Sequence, residues 1–407
     1  MSEERSGTRL GIVRACLAVV LLAAVAAGGS AAAADKKEIV IGYAISQTGR
    51  FSTEAIDSQR GYELWRDEVN AAGGIFVKDL GKKLPVRFIA YDDKSDASTS
   101  AKLYERLITV DNVDLLLGPW GSGINFAVTA ITEKHGYPLL LTSASSDGIY
   151  ARGFKHIFLA GELASHDAIP VSDYLLSVKD RVKTIAVIYE NFIFTETVFN
   201  AFMKRMEGNG PQVVMAEKYP LGGQSFLGLL AKAKSLNPDA VIVLHLMPAS
   251  IYVTRQMREV GLVPKFYFVL IGPMFKEFLE GLGDLAEGVT EHGYWHPALP
   301  FPTTKAFQVN FEKKFNRPPS TDAAHAYIGT VVIQQAIEKA GTLDRAKLSE
   351  AMHREEFQTI AGLYKYDEAG RNVLERQFFV QVLNGRRTIV WPKDLAEAPA
   401  RFPVFGK

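Results

Sequence analysis

Short, largely apolar runs alternate with amphipathic stretches from Glu38 to about residue 270, and this constrains the fold more than any other feature of the chain. EIVIGYA (38–44), LPVRFIAYDD (84–93), VDLLLG (113–118) and YPLLLT (137–142) read as strands. Between them lie helical patterns over 58–70, over 98–111 and from about Ile124. Tyr62, Trp65 and Val69 share one face of the first helix, and Ala72-Gly73-Gly74 ends it. HIFLAG (156–161) follows, and the pattern restarts with KTIAVIYE (183–190), PQVVMAEKY (211–219), DAVIVLHL (239–246) and FYFVLI (266–271). A strand apolar on both faces must be covered on both faces, which predicts α/β architecture with parallel sheets flanked by helices.

Two runs of βα units separated near residue 160 predict two Rossmann-like lobes, and 407 residues is ample for two cores. The tail departs from the pattern. Helices over 303–315 and 321–340 have no strand between them, and RQFFVQV–LNG–RRTIVW (376–391) reads as a closing hairpin.

The first 34 residues are of another kind. Arg5, Arg9 and Arg14 precede the apolar run CLAVVLLAAVAA, and Ala32-x-Ala34 offers small residues for cleavage before Asp35. This is the pattern of a secretory signal peptide, which predicts an exported, periplasmic protein. The only cysteine, Cys16, precedes the apolar run, so the mature chain has none and depends on its core for stability. Loss of the leader removes three arginines and two glutamates and takes the formal net charge of +1 to zero. Such a balance offers no basic footprint for nucleic acid.

In parallel α/β sheets, ligands sit beyond the carboxyl ends of the strands, where loops meet helix N-termini. Three such loops here are rich in small hydroxyl residues: Ser46-Gln47-Thr48-Gly49-Arg50, Gly118-Pro119-Trp120-Gly121-Ser122-Gly123 and Thr142-Ser143-Ala144-Ser145-Ser146-Asp147. They are suited to presenting NH and OH donors to an anion. GPWGSG lacks the Gly-Lys-Ser/Thr of a phosphate loop and the glycine spacing of a dinucleotide site, so no cofactor is expected. Gly121-Ser122-Gly123 is half a nucleophile elbow, with Trp120 and Ile124 where glycines belong. A secreted hydrolase using Ser122 is therefore a minor alternative. Asp92-Asp93-Lys94-Ser95-Asp96 reads as a strand end with helix-capping carboxylates rather than a metal site. His292 and His296 read as structural, because Pro297 opposes a helix and no glutamate stands beside them as base.

The ordered series IVIGYAISQTGRFS, NAAGGI, YDDKSD, LLLGPWGSG and LLLTSASSDGIYARGFKHIF, followed by RQMREVGL and the final strand pair, resembles the leucine/isoleucine/valine-binding family. These are type I periplasmic solute-binding proteins of ABC importers, and the resemblance spans 38–391. It implies two lobes joined by three crossings, near 158–163, 291–297 and 356–363, that close on a ligand. Lobe one would comprise 35–160 plus 295–356, and lobe two 161–294 plus 357–407. A monomer working with a membrane permease is implied; a ligand-sensing domain of the type I receptor or amide-regulator kind shares the fold.

The resemblance also assigns residues. Ser122 falls where a serine binds the ligand carboxylate, Ala144 where a backbone group touches the ligand, and Ser146 where a hydroxyl does. Trp120, Ser145 and Arg50 belong to the same loops. From lobe two, Phe194 takes the place of a cleft tyrosine, Leu246 lies in a segment aligned with an aromatic stretch, and Leu270 falls where amino-acid binders hold a glutamate against the ammonium. No acid occurs between Lys265 and Phe275. With Trp120, Phe192 and Phe194 supplying flat apolar surface, an aromatic or other hydrophobic carboxylate is expected ahead of leucine, isoleucine or valine. Glu54 and Asp147 are the candidates for a counter-charge if the ligand is an amino acid.

Overall fold

The computed structural model describes residues 36–405; the leader read over 1–34 lies outside the described residues. The first sheet has five parallel strands in the order Val86–Asp92, Ile39–Ile45, Leu115–Leu117, Leu139–Leu141, Ile157–Leu159. The two leucine triplets are buried throughout, as strands covered on both faces must be. The second sheet runs Arg386–Trp391, Phe378–Leu383, Thr290–Gly293, Phe266–Val269, Ala240–Leu244, Thr184–Asn191, Gln212–Pro220. It is parallel except where the closing hairpin pairs within itself and with Thr290–Gly293. Asn384 and Gly385 both take positive φ in the hairpin turn, the geometry that an Asn-Gly pair favours.

Local signals set most boundaries. Asp96 caps the helix Ala97–Thr109 by accepting the Thr99 N–H at 2.7 Å. Asp93 accepts from the Ser46 hydroxyl at 2.6 Å and the Ser95 N–H at 2.9 Å. Asp92 accepts backbone N–H groups of Gln47, Thr48 and Lys94, so this acidic run holds two loops together. One boundary differs: the first helix is Ser52–Ala71, six residues longer at its start than the predicted 58–70. Its opening turns bury polar Glu54, Asp57 and Ser58, so no apolar face advertises them.

After the second sheet is largely built, the chain returns to the first. Helices Pro302–Phe315 and Thr321–Ala340 pack on Ser52–Ala71. Gly61 permits the closest approach: a Cβ there would lie 2.2 Å from the Ala323 carbonyl oxygen. The hairpin Glu356–Thr359/Gly362–Lys365 also packs on Thr321–Ala340. The Gly370 carbonyl then accepts the Leu159 N–H at 2.8 Å, closing the edge of the first sheet. The third passage between the sheets therefore falls between Asn372 and Phe378, later than the 356–363 expected from the resemblance. A short amphipathic hairpin, rather than an interlobe crossing, occupies the expected place.

Candidate functional site

The strand Leu115–Leu117 ends at Gly118, and the helix Ser122–Lys134 begins four residues after it. Gly121 makes this turn with φ +86°, a conformation that penalises a side chain. Asn125 Nδ2 locks the turn by donating to the carbonyls of Pro119 (2.7 Å) and Gly121 (2.9 Å). The next loop is tied to it twice. The Gly121 N–H donates to the Ser143 carbonyl at 3.0 Å, and the Ser146 N–H to the Ser122 hydroxyl at 3.2 Å. The start of a thirteen-residue helix, a serine hydroxyl and the Ala144–Ser145 backbone thus meet in one place, where partial positive charge favours an anion.

The second sheet contributes the facing wall. Phe192 and Phe194 open the helix Ile193–Met206, and Phe192 reaches the glycine turn so closely that a Cβ on Gly123 would lie 3.1 Å from its ring. Phe192 also stacks obliquely on Phe51, which in turn packs on Trp120, with centroids 5.8 and 5.1 Å apart. Glu190 positions Leu246 by accepting its N–H at 3.2 Å. The two faces meet across a cavity lined from both sheets.

Trp120, Ser122, Ala144, Ser145, Phe194 and Leu246 all line this cavity, as does Phe192. Three of the expected residues do not. Ser146 spends its N–H on Ser122, and its hydroxyl is buried with no hydrogen-bond partner. Arg50 is exposed, and its charge acts instead on Glu190 of the opposite sheet. Leu270 is fully buried in the core with its N–H on the Val243 carbonyl; the next residue, Ile271, faces the cavity. Successive residues of an extended segment point to opposite sides, so a one-residue offset exchanges core for site.

Neither candidate counter-charge lines the cavity. Asp147 accepts the N–H (3.0 Å) and hydroxyl (2.6 Å) of Ser165. Glu54 is fully buried, with both carboxylate oxygens unpartnered, and burial pushes its pKa far above the carboxylate range. The carboxylates that do line the space are Glu162 and Asp322, with His325 beside them. Asp322 accepts the Trp120 indole N–H at 2.9 Å, and burial raises its pKa to about 6. His325 is held neutral, its pKa lowered by burial to about 4. Glu162 is raised well above the usual range, again by burial. Sequence reading missed all three, because they come from an interlobe passage and from a helix some 200 residues beyond the glycine turn. A faint signal existed: Gly161-Glu162 directly follows a strand end, as ligand-contacting residues do.

His292 and His296 sit at and just after the strand Thr290–Gly293, both pushed down to about 3 by burial. Among the described residues no group of three His, Cys, Asp or Glu side chains could hold a metal, and no helix is long and apolar enough to cross a membrane.

A sequence profile described as periplasmic binding protein matches residues 38–387. The leucine-, isoleucine-, valine-, threonine-, and alanine-binding protein of Pseudomonas aeruginosa is 28% identical over 323 residues, covering 77% of this chain and 82% of that protein. A leucine binding protein from Thermotoga maritima shares the fold with a TM-score of 0.77 at 22% identity, over 86% of this chain and 97% of its own. An ABC transporter solute binding protein from R. palustris, solved with benzoate, gives 0.77 at 20% identity, over 89% and 97%. With one parallel and one largely parallel sheet contributing to a shared cavity, the chain belongs to the type I periplasmic binding protein family, alongside the leucine/isoleucine/valine-binding proteins.

Proposed function

We propose that this chain is the extracytoplasmic substrate-binding component of an ABC importer, and that it captures a small carboxylate with an apolar body by closure of two lobes. The observation that carries this reading is the single cavity on which Ser122, Ala144 and Ser145 converge from one sheet and Phe192, Phe194 and Leu246 from the other. Relatives named for branched-chain amino acids and for benzoate support both halves of it: the carboxylate is common to their ligands, and so is the apolar remainder. We place lobe one at 36–160 plus 295–372 and lobe two at 161–294 plus 373–405, following the packing of the late helices and hairpin. No catalytic role is assigned to Ser122, whose hydroxyl meets the Ser146 N–H and, among the described residues, neither histidine nor carboxylate.

A thermal-shift panel of hydrophobic amino acids and organic acids, followed by calorimetry, tests the assignment, because a ligand that binds only the folded state raises its melting temperature. Ser122→Ala should weaken the best ligand about 10- to 100-fold, the worth of a hydrogen bond to a charged group. Unchanged affinity in that variant would remove Ser122 from the carboxylate site. Turnover of any ester or amide, abolished by the same change, would make the chain an enzyme instead.

Export rests on the leader alone. The mature protein should begin at or close to Asp35 in a periplasmic fraction, as read by intact mass. A membrane-bound product retaining Met1–Ala34 would contradict it.

A further inference from the structure

Outside the cavity, one ion pair spans the lobes. Arg317 stands on lobe one, in the short link between the helices Pro302–Phe315 and Thr321–Ala340. Its guanidinium meets Glu277 of the lobe-two helix Lys276–Leu282 at two points: Nη2 donates to Oε2 at 3.2 Å, and Nη1 lies 3.0 Å from Oε1. Neither residue lines the cavity. Among the described residues no other lysine or arginine pairs with a carboxylate across the lobes. The remaining lobe-to-lobe pairs, His325–Glu162 and His296–Glu397, lie beside the passages and involve histidines that burial holds neutral.

The two ends of the pair are prepared differently. Asn316 closes its helix at φ +52°, and Pro318 and Pro319 follow, so the backbone at Arg317 has little freedom. Asp57, fully buried on the helix Ser52–Ala71, accepts from Arg317 Nη2 at 3.3 Å and is also paired with Arg60 at 2.6 Å. Lobe one therefore holds the guanidinium ready whether or not lobe two is near. Glu277 has no hydrogen-bond or ion-pair partner on its own lobe among the described residues; Arg317 is the group it meets.

We propose that Arg317 and Glu277 form a latch that sets ligand affinity from outside the cavity, by favouring the closed arrangement. The inference rests on the reading of two lobes that close. A contact made only when the lobes meet multiplies the closed-to-open ratio by a fixed factor, whatever occupies the cavity. A residue that touches the ligand acts otherwise, because it discriminates among ligands.

Beyond Cys16 the chain has no cysteine, so cysteines introduced at Val110 on lobe one and Val263 on lobe two, both exposed, can carry spin labels whose separation reports open and closed populations. Glu277→Gln should lower the closed-to-open ratio about three- to tenfold. It should weaken L-leucine and benzoate, whichever binds, by that same factor in calorimetry, mostly through faster dissociation. Glu277→Lys, which sets two cations face to face, should lower the ratio further. Unliganded melting curves check that both variants fold. A ligand-driven change in separation that is alike in the wild type and both variants would overturn the latch and leave closure standing. Unequal factors for the two ligands would place Glu277 among the ligand's own contacts and overturn it too. A separation unchanged by bound ligand in the wild type would overturn closure, and the latch with it. If neither probe binds, the ligand-free populations decide: a smaller closed fraction in both variants upholds the latch, and an equal one overturns it.

Discussion

Arg387→Met should destabilise the protein by about 3–5 kcal/mol, the usual cost of leaving a buried charge unpaired. Glu291 is fully buried on the strand Thr290–Gly293, and Arg387 reaches it from the hairpin strand Arg386–Trp391, Nε to Oε1 at 2.7 Å. The other carboxylate oxygen accepts the Met274 N–H at 2.9 Å, and Met274 lines the cavity. Removing the guanidinium strands the carboxylate and loosens a wall of the site in one step. The pH dependence has a definite sign. Burial already raises the Glu291 pKa, against the pull of Arg387, so its protonated form is the one the fold tolerates best. Without Arg387 the pKa climbs further, and the loss should grow as pH rises and shrink in acid. Urea unfolding reads the effect. Glu291→Gln combined with Arg387→Met should recover much of the stability, because the stranded charge is gone. A loss below about 1 kcal/mol, or no recovery in the double variant, would mean that the pair is not the strut described here.

Trp120→Ala should cost about 3–5 kcal/mol in stability and weaken any ligand that uses the aromatic wall. The indole is 6% exposed, packs on Phe51 and donates to Asp322. Truncation opens a void and leaves Asp322 with only the distant Ser143 hydroxyl, 3.5 Å away. In the native protein burial lifts the Asp322 pKa to about 6, so the fold favours its protonated form. That contribution is fully present below the unfolded aspartate pKa, near 4, and is lost as pH rises through about 6. The indole N–H opposes the shift, so its removal moves the folded pKa higher still and extends the window upward. Trp120→Ala should consequently suffer more at about pH 8 than at about pH 5, measured by urea unfolding. Trp120→Phe, which fills most of the void but lacks the N–H, should keep the pH-dependent part and lose most of the rest. Equal destabilisation at both pH values would show that the indole–carboxylate bond is immaterial.

What the chain's sequence determined by itself was whatever depends on near neighbours. Leu115–Leu117 and Leu139–Leu141 are strands because an apolar run of that length must be sandwiched, and Asn384-Gly385 turns because few other pairs accept positive φ at both positions. The donor-rich loops were legible too, since a strand ending in glycine and followed by a serine-started helix presents N–H groups wherever it folds. Tertiary structure alone decided the rest. Whether Leu270 or Ile271 faces the cavity depends on a one-residue phase that an apolar run leaves open. The start of the first helix at Ser52 was hidden because its buried face is polar and finds its cover elsewhere. The late hairpin Glu356–Lys365 joins the first lobe only because the helix Thr321–Ala340 offers it a surface. Most of all, the acidic groups of the site are Glu162 and Asp322, brought to the Ser122 turn from a passage and a helix 40 and 200 residues away. Side chains so far apart in sequence carry no mark of meeting; packing of the two sheets makes them neighbours, and removal from water gives the meeting its energy.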